Sequence, residues 1–530
     1  MKMTFILIAG AGLGAWASSS AWGQTAPAPQ AHAGAYAGYT LIAPMNSRTV
    51  TLIGMDGQVV HTWQTSYVPG ASTYLLENGN LLRTASSLGG GFGRGFGGGF
   101  GAGRRGGPGI TNNSAASPPA GGRATRPGGA AAGGRIQEIA WDGTLVWDYE
   151  FATDTQAPHH DLTRMPNGNI LFLIWDGKTA EENIAAGRNP EYQQSGGELP
   201  PDGILEVKPT GKTTGQIVWE WHVWDHLIQD FDKSKPNYGD VAAHPELIDI
   251  NYSESWMDPP AGGAGAGGRG GGEFRGGRGG PGGFGGGGFG RGMGGGGRIP
   301  TTDWTHLNAV AYNAQMDQIV MSSYTFSEFW IIDHSTTTTE AASHAGGKGG
   351  KGGDLLYRWG NPEAYRCGKG ADQTLFCPHN AHWIAPGLNG EGHLLIFNNG
   401  PNRPNGERFS SVDEYELPAN KEGKYGREAD GKFTPPKLVW SYTATNKTDF
   451  YSQNISGAQR LPNGNTLICS GANGKLFEVT AKGETVWQYT VTNTGGRGPG
   501  GFGGGGVQMF RAYRFSGDSE GLRGKDLGSR

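Results

Sequence analysis

Histidine recurs beside other polar side chains in three separate segments of this sequence. The segments are His159-His160-Asp161, Asp303-Trp304-Thr305-His306-Leu307-Asn308 and His379-Asn380. Near pH 7 a neutral imidazole serves as a nucleophile, a general base or a metal ligand, and an asparagine amide donates hydrogen bonds. Because the chain has 13 histidines in all, this clustering predicts that His160, His306 and His379 share a site if the fold brings them together.

Three converging imidazoles suit either a nucleophile supported by hydrogen-bond donors or a metal site. Asn308 and Asn380 are amide donors, whereas the carboxylates that would complete a ligand set are limited to Asp161 and Asp303. These neighbours favour the nucleophile, and we predict a site without metal or cofactor. The ordinary role of a single histidine is structural, so the prediction depends on convergence.

A repeated strand pattern indicates the fold that would position these residues. A short aliphatic strand rich in aromatic residues occurs six times, and before most copies lies an alternating strand that ends in Asp-Gly or a similar turn. A third element is a hairpin centred on Asn-Gly-Asn, as at Asn78, Asn167 and Asn463, where Asn-Gly accepts the positive φ angles of a tight turn. The aromatic copies are Val59–Trp63, Leu145–Tyr149, Ile217–Trp221, Leu355–Trp359, Leu438–Tyr442 and Thr485–Tyr489.

Each repeat therefore contains four strands, and four-stranded units repeated radially are the blades of a β-propeller. Gly38–Ala43 has the character of a second strand without a first, and Val507–Phe515 that of a first strand without a second. We predict that they pair, which gives an all-β, six-bladed propeller closed by its N- and C-terminal strands. The first strand of each blade lines the channel. The polar residues predicted there are Tyr74, His160, His306, Asn308, His379, Asn380, Gln453 and Arg511.

The remaining segments set the predicted domain boundaries. Residues 1–23 have the basic start, short apolar run and small residues of a secretory signal peptide, which predicts a periplasmic or secreted protein without membrane insertion after cleavage. Residues 24–37 are predicted to be a flexible segment, 38–515 the propeller and 516–530 a tail. Gly-rich insertions at about 88–134 and 261–298 are predicted to be mobile loops. The net charge of −4 argues against nucleic acid as a partner.

Cysteine usage adds one further prediction. Cys367 and Cys377 are close in sequence and would form a disulfide in an oxidising compartment. Cys469 would then be single and buried.

The sequence resembles the bacterial arylsulfate sulfotransferase family of periplasmic six-bladed propellers, from about Gly38 to Phe515. The resemblance rests on four pieces of sequence: His160-Asp161-Leu162 followed by Pro166–Asn169, Asp303–Asn308, His379-Asn380 leading to Leu395–Gly400, and Gly464–Leu467.

The resemblance implies transfer of a sulfuryl group from a phenolic sulfate to a phenol through a transient sulfohistidine. In the family's pattern the nucleophile is His379, and His160, His306 and Asn308 are the supporting donors. Asn380 and Arg511 are further predicted substrate-binding residues. The chemistry suits the residues, because fixed donors stabilise charge that spreads over equatorial oxygens.

One position departs from the family's pattern. The family has an arginine that contacts sulfate in the stretch aligned with Ser322-Ser323-Tyr324, and this chain has Tyr324. A tyrosine hydroxyl supplies one neutral hydrogen bond in place of a charged fork. Either Arg511 or Arg460 replaces the missing cation, or the substrate differs, or activity is lost. Two other functions therefore stay open: a hydrolase or lyase with a metal bound at the site, and a non-catalytic scaffold that binds a ligand or protein.

Overall fold

The computed structural model describes residues 30–86, 133–192, 199–252, 304–492 and 507–528. The predicted signal peptide, Asp303 and nearly all of the two Gly-rich insertions lie outside these ranges. Two short helices are present in the described ranges, α1 (Ala180–Ala185) and α2 (Thr338–Ala341), and no helix there is long and apolar enough to cross a bilayer.

Apart from short 3-10 helices and the connecting turns and loops, the described ranges consist of β-strands. The strands of the first half are β1 (Gln30–Ala31), β2 (Tyr39–Pro44), β3 (Thr49–Ile53), β4 (Val59–Gln64), β5 (Pro69–Leu75), β6 (Leu81–Ser86), β7 (Gly134–Ile139), β8 (Leu145–Glu150), β9 (Gln156–Arg164), β10 (Ile170–Asp176), β11 (Asp202–Pro209), β12 (Gly215–His222), β13 (Leu227–Ile228) and β14 (Ile248–Asp249). Those of the second half are β15 (Leu307–Asn313), β16 (Gln318–Ser323), β17 (Glu328–Asp333), β18 (Tyr357–Trp359), β19 (His379–Trp383), β20 (Leu394–Asn398), β21 (Ser411–Glu416), β22 (Lys437–Tyr442), β23 (Gly457–Arg460), β24 (Thr466–Ser470), β25 (Lys475–Val479), β26 (Thr485–Thr490) and β27 (Met509–Phe515).

The strands pair into a propeller-like arrangement of four-stranded blades. β15 to β18 form one sheet, β19 to β22 a second, and β27-β2-β3-β4 a third, while β23 to β26 form a fourth that β1 extends. The pairing of β2 with β27, for example Leu41 opposite Tyr513, confirms the predicted union of the N- and C-terminal strands. β1 lies in the segment predicted to be flexible, yet it pairs with β26.

Of the remaining ten strands, β13 and β14 pair with each other, and the other eight do not separate into two sheets as predicted. They form one sheet in the order β12-β11-β10-β9-β5-β6-β7-β8. The reason is a single parallel pair, Ala71 with His160, which joins β5 to β9. Sheet pairing thus resolves four separate blades, where the sequence predicted six.

The Asn-Gly-Asn turns have the predicted backbone conformation, and their asparagine side chains also form hydrogen bonds to neighbouring strands. The central glycines Gly79, Gly168 and Gly464 have φ of 81°, 84° and 85°. The second asparagine donates to a buried glutamate of the next strand: Asn80 to Glu138 (2.7 Å) and Asn465 to Glu478 (2.6 Å). Turn chemistry therefore fixes both the hairpin and the register of the strand that follows it.

Aromatic side chains of the outer strands β4, β8, β12, β18, β22 and β26 connect each run of four strands to the next. Each donates a hydrogen bond to an acceptor near the outer turn of the following run, and the last acceptor, Met55, lies between β3 and β4. We call these hydrogen bonds the aromatic clasps. They are Trp63 to Ala140 O (3.2 Å), Trp147 to Thr214 O (3.1 Å), Trp219 to Thr336 Oγ1 (3.2 Å), Tyr357 to Thr434 O (3.0 Å), Trp440 to Ala481 O (3.0 Å) and Trp487 to Met55 O (2.9 Å).

His334 adds a charged contact between two of these runs, β9 to β12 and β15 to β18. Its Nε2 lies 2.9 Å from Glu206 Oε2 in β11, and its Nδ1 lies 2.9 Å from Asp317 Oδ1. Burial lowers the pKa of His334, but the hydrogen bonds and charges of Glu206 and Asp317 outweigh it, so the pKa is raised above its ordinary value of 6.5. The resulting stability is fully present below the unfolded-state pKa and is lost as pH rises through the folded-state pKa.

We therefore expect His334→Gln to lower the free energy of unfolding by about 1–2 kcal/mol at pH 6 and by clearly less at pH 9. Urea unfolding at both pH values measures the difference. His244→Gln is the control, because His244 is exposed and faces one carboxylate, that of Glu246. It should change the free energy of unfolding by no more than about 0.5 kcal/mol. An equal loss for His334→Gln at both pH values would contradict the assigned charge.

Candidate active site

Local backbone irregularities on the inner strands direct the predicted site residues. The pairing register shifts where β9 passes β10, where β15 passes β16 and where β19 passes β20. His160 and Asn380 lie at two of these places, and His306 lies just before β15; their φ angles of 48°, 57° and 45° are in the left-handed region. This conformation costs a non-glycine residue about 1–3 kcal/mol and is concentrated at functional sites. Bulges at equivalent places on several blades therefore aim side chains toward one region.

Five rings meet in that region and form a closed circuit, which we call the ring cluster: His160, His306, Tyr324, His379 and Phe510. Successive ring centroids are 4.7, 5.0, 5.5, 6.4 and 6.0 Å apart in that order, the last distance returning from Phe510 to His160. His160, His379 and Phe510 are buried, whereas His306 and Tyr324 are half-buried. A ligand would therefore approach from the side of His306 and Tyr324.

The protonation state of His379 follows from its hydrogen bonds. His379 Nδ1 lies 2.8 Å from Asn399 Oδ1. The amide nitrogen of Asn399 donates to the carbonyl oxygens of Ser452 (2.8 Å) and Ile455 (2.9 Å), which fixes the amide orientation. Asn399 Oδ1 can only accept, so His379 Nδ1 carries the proton and Nε2 carries a lone pair.

The environment also keeps the imidazoles of His379 and His160 neutral. Burial, followed by the nearby His306, lowers the pKa of His379 to about 3, and the charge of Arg511 acts in the same direction. Burial and the neighbouring His306 lower the pKa of His160 well below its ordinary value. A buried neutral imidazole with a lone pair on Nε2 is a competent nucleophile at neutral pH.

A chain of contacts through His159 to Asp202 positions the imidazole of His160. His160 Nδ1 lies 2.7 Å from His159 Nδ1, and His159 Nε2 lies 3.0 Å from Asp202 Oδ1 in an off-axis contact. His159 stacks on Trp175 with centroids 4.5 Å apart. Asp202 also accepts hydrogen bonds from Leu307 N and Thr305 Oγ1, each of 2.6 Å. The carboxylate thus holds the segments of His160 and His306 together.

The guanidinium group of Arg511 connects several inner strands to one another. Its guanidinium donates to Asp161 Oδ2 (2.7 Å), to Tyr74 Oη (2.6 Å) and to the carbonyl oxygen of Asn308 (2.9 Å). Its Cζ lies 4.5 Å from the centroid of Phe510. The guanidinium of Arg511 is thus engaged within the protein and its charge is paired with Asp161, while its role as a substrate ligand stays a prediction.

Two predicted substrate-binding amides also make contacts within the protein. Asn308 donates from Nδ2 to the carbonyl oxygen of Pro378 (2.9 Å) and accepts from Ser322 Oγ (2.7 Å). Asn380 accepts from the backbone N–H of Ala458 (3.0 Å). Asn308 therefore positions the strand of His379, and Asn380 links β19 to β23.

The structure places two predicted groups away from the ring cluster. Arg460, the alternative replacement for the family's arginine, donates to Glu414 Oε2 (2.6 Å) and its Cζ lies 5.3 Å from the ring of Trp440. Cys367 and Cys377 are both free, so the structure does not contain the disulfide that the sequence suggested. The Cys367 thiol faces the carbonyl oxygen of Ala242 (3.4 Å), while Cys377 is buried in a left-handed backbone conformation.

Sequence reasoning assigned no role to Asn399, His159, Asp202 or Phe510. Asn399 lies in the Asn398-Asn399-Gly400 motif that carries the resemblance, and His159 lies beside His160 in one of the three histidine segments, so these two residues had a local signal. Among the described residues, one group could hold a metal ion by ligand type and spacing, His226, His344 and Asp354, and it lies outside the ring cluster.

Comparison with known proteins identifies the family. The arylsulfotransferase (ASST) family model matches residues 129–494, which include His160, His306 and His379. No curated protein matches this chain.

Similar solved structures share little sequence with this chain. A protein of unknown function from Bacteroides caccae is 11% identical, with a TM-score of 0.38 and coverage of 86% of this chain and 93% of that chain. Virginiamycin B lyase from Staphylococcus aureus is 9% identical, with a TM-score of 0.33 and coverage of 88% and 85%. The Cps50 (Swd1) β-propeller domain of Myceliophteria thermophila is 8% identical, with a TM-score of 0.34 and coverage of 87% and 89%. The family match covers more than half of the chain, and the chain belongs to the arylsulfotransferase family.

Proposed function

We propose that this protein moves a sulfuryl group from a phenolic sulfate to a phenolic acceptor, with Nε2 of His379 as the nucleophile. The observation that carries the proposal is the buried, neutral imidazole of His379, whose Nδ1 proton is held by Asn399. Membership of the family supports the reaction class. The natural donor and acceptor would both be small phenolic molecules.

The proposed reaction has two balanced steps. In the first, the Nε2 lone pair attacks sulfur, an N–S bond forms, the S–O bond to the phenol breaks, and the phenolate leaves and gains a proton. In the second, the acceptor phenol loses its proton to a base, its oxygen attacks sulfur, and the N–S bond breaks. His379 is then restored with its Nδ1 proton unchanged. Two steps avoid binding donor and acceptor at the same moment.

His306 is the proposed acid–base group, because its ring lies between those of His160 and Tyr324 on the half-buried side of the cluster. His160 is proposed to donate to sulfate oxygens from a fixed position. Tyr324 occupies the place of the family's arginine, with its centroid 5.5 Å from that of His379. Tyr324 and Phe510 offer aromatic surface to a phenol ring. The positive charge of Arg511 would act on the sulfuryl group without direct contact.

The proposal includes a closed ring of six blades in an exported protein. The aromatic clasps support six blades, since six donors lead in chain order from one run of strands to the next and return to Met55 beside the first. The eight-stranded sheet would then be two adjacent blades joined at Ala71 and His160. The signal-peptide pattern of residues 1–23 supports export to the periplasm or the medium.

The direct test is an acceptor-dependent assay. Purified protein is incubated with 4-nitrophenyl sulfate, with and without phenol, and release of nitrophenolate is followed by its colour. We expect release that needs phenol and that persists in the presence of a chelator. Release without an acceptor that stops in chelator would favour a metal-dependent hydrolase. No release at all would favour a non-catalytic binding protein with Tyr324 in place of arginine.

Asn399 is proposed as a positioning residue that sets the tautomer of His379. We expect Asn399→Ala to lower kcat by about 10–100-fold with little change in KM, since the supporting hydrogen bond is lost. Asn399→Asp would place a negative charge beside Nδ1 and raise the pKa of His379, so the acid limb of the pH–rate profile should move to higher pH.

The matched control is Asn398→Ala. Asn398 is the neighbouring buried asparagine, and it accepts from the backbone N–H of Phe376 (2.9 Å), not from His379. The Asn398→Ala variant should leave the acid limb of the pH–rate profile in place. An unshifted limb in Asn399→Asp would refute the positioning role.

A further inference from the structure

A second group of imidazole and carboxylate side chains lies outside the ring cluster. His226 ends the single-turn helix Val223–His226 that follows β12, and His344 and Asp354 lie on the connection from α2 to β18. His226 Nδ1 is 2.8 Å from Asp354 Oδ1, and His344 Nδ1 is 2.7 Å from the same oxygen. The His226 and Asp354 side chains are 0% and 8% exposed, while His344 is 61% exposed. The exposed side chain of His344 thus contacts a buried pair formed by His226 and Asp354.

The partners of the two ring nitrogens of His226 indicate a positive charge at Nδ1. His226 Nε2 lies 2.8 Å from the carbonyl oxygen of Ala341, which can only accept, so Nε2 carries a proton. In a neutral ring Nδ1 then carries a lone pair, and it faces a carboxylate oxygen that also accepts. Two buried acceptors at 2.8 Å need a positive charge between them, either a proton or a metal ion.

The contact between a ligand histidine and a backbone carbonyl is the arrangement that orients metal-bound imidazoles. His226 also stacks on Trp221, with centroids 5.7 Å apart and planes 10° apart, and Trp221 Nε1 donates to the carbonyl oxygen of Gly353 (2.7 Å). A Cβ on Gly353 would lie 2.0 Å from Ala341 O and 2.6 Å from His226 Nε2. Close packing therefore fixes two of the three ligands before any ion binds.

We propose that His226, His344 and Asp354 bind one divalent transition-metal ion, with Zn²⁺ as the ion that this ligand set suits best. Two imidazoles and one carboxylate match the chemistry of zinc sites with three protein ligands, which keep a position for water or another ligand. The ligand atoms would move apart to about 3.3 Å, the separation expected across a tetrahedral zinc ion. The exposed side chain of His344 has the freedom to make that adjustment.

The bound ion would tie the connection after α2 to the helix after β12. His344 also lines a cleft of about 450 Å³ together with Trp224 and His244. The site is independent of sulfuryl transfer, because none of its residues belongs to the ring cluster.

The test uses the full-length, untagged protein after removal of metal with a chelator. Calorimetric titration with ZnCl₂ and metal analysis after dialysis should give one equivalent of bound zinc. His344→Ala, an exposed position that should not disturb folding, should weaken zinc binding at least about 30-fold, since one of three ligands is lost. His244→Ala, another histidine of the same cleft, is the matched control and should bind zinc like the parent protein.

His306→Ala separates this proposal from a metal in the ring cluster. Zinc binding that survives in His306→Ala and is lost in His344→Ala supports the proposed site. Binding that is lost in His306→Ala and unchanged in His344→Ala would overturn it, as would the absence of zinc binding by the parent protein at 100 µM, about the weakest affinity that would be useful. A d–d spectrum of the Co²⁺-substituted protein that is unchanged by His344→Ala would overturn it as well.

Discussion

Replacement of His379 by alanine should lower the rate of acceptor-dependent nitrophenolate release by at least about 1000-fold, because the substitution removes the atom that forms the N–S bond. The same variant should lose the mass increment of one sulfuryl group that the parent protein gains with 4-nitrophenyl sulfate in the absence of acceptor. Peptide mass spectrometry should place this increment on His379. Initial rates with saturating donor measure the loss.

His382→Ala is the matched control, since His382 lies on the same strand but outside the ring cluster. Its Nδ1 donates to the carbonyl oxygen of Asn380 (2.8 Å), and burial lowers its pKa to about 4. We expect this variant to retain the sulfuryl increment. A His379→Ala protein that still acquires the increment would rule out His379 as the nucleophile.

The pH dependence of activity provides a second test of the role of His379. Protonation of Nε2 abolishes its nucleophilicity, so activity that depends on His379 is present above the folded-state pKa and is lost below it. Burial, aided by His306, lowers that pKa to about 3. The value of kcat/KM should therefore show no loss attributable to His379 between pH 8 and pH 5.

The second large effect concerns stability. Arg511→Met should lower the free energy of unfolding by about 3–5 kcal/mol, because it leaves the buried carboxylate of Asp161 without its ion-pair partner. The side chains of Arg511 and Asp161 are 4% and 1% exposed. Urea unfolding at pH 7, followed by tryptophan fluorescence, measures the change.

Two further variants make this result specific. The double variant Arg511→Met/Asp161→Leu should be less destabilised than Arg511→Met alone, since it removes the stranded charge. Arg135→Met removes a more exposed ion pair with Asp148 and should cost no more than about 1 kcal/mol. If Arg511→Met costs as little as Arg135→Met, the central ion pair does not hold the inner strands together.

Much of the fold was predictable because its signals are local. Asn-Gly-Asn turns and aromatic strands each reflect backbone and packing preferences of a few residues, and they predicted most blades and the pairing of β2 with β27. The fourth copy of the aromatic strand was predicted to be too long: Tyr357–Trp359 forms β18, while Leu355 and Leu356 are buried before it. The joining of β5 to β9 depends on one bridge between distant residues, which no local pattern contains.

The candidate site was predictable in part. Register among the blades predicted that His160, His306 and His379 approach one another, and their rings do so, although their chemical roles stay predictions. The tautomer of His379 depends on Asn399, and the placement of His306 depends on Asp202, which is more than 100 residues earlier in the chain. Side-chain hydrogen bonds of this range have no spacing rule in sequence. A pairing of Cys367 with Cys377 could be suggested but not established from sequence, because proximity along the chain does not fix the direction of a thiol.

The union of β2 with β27 has a consequence for the timing of assembly. Phe510 completes the ring cluster and Arg511 secures Asp161, and both lie on the strand that is synthesised last among those described. The ring cluster therefore remains incomplete until residues 509–515 pair with Tyr39–Pro44. Formation of the proposed active site is thereby coupled to synthesis of β27, so a chain that stops before Met509 would lack both Phe510 and the partner of Asp161.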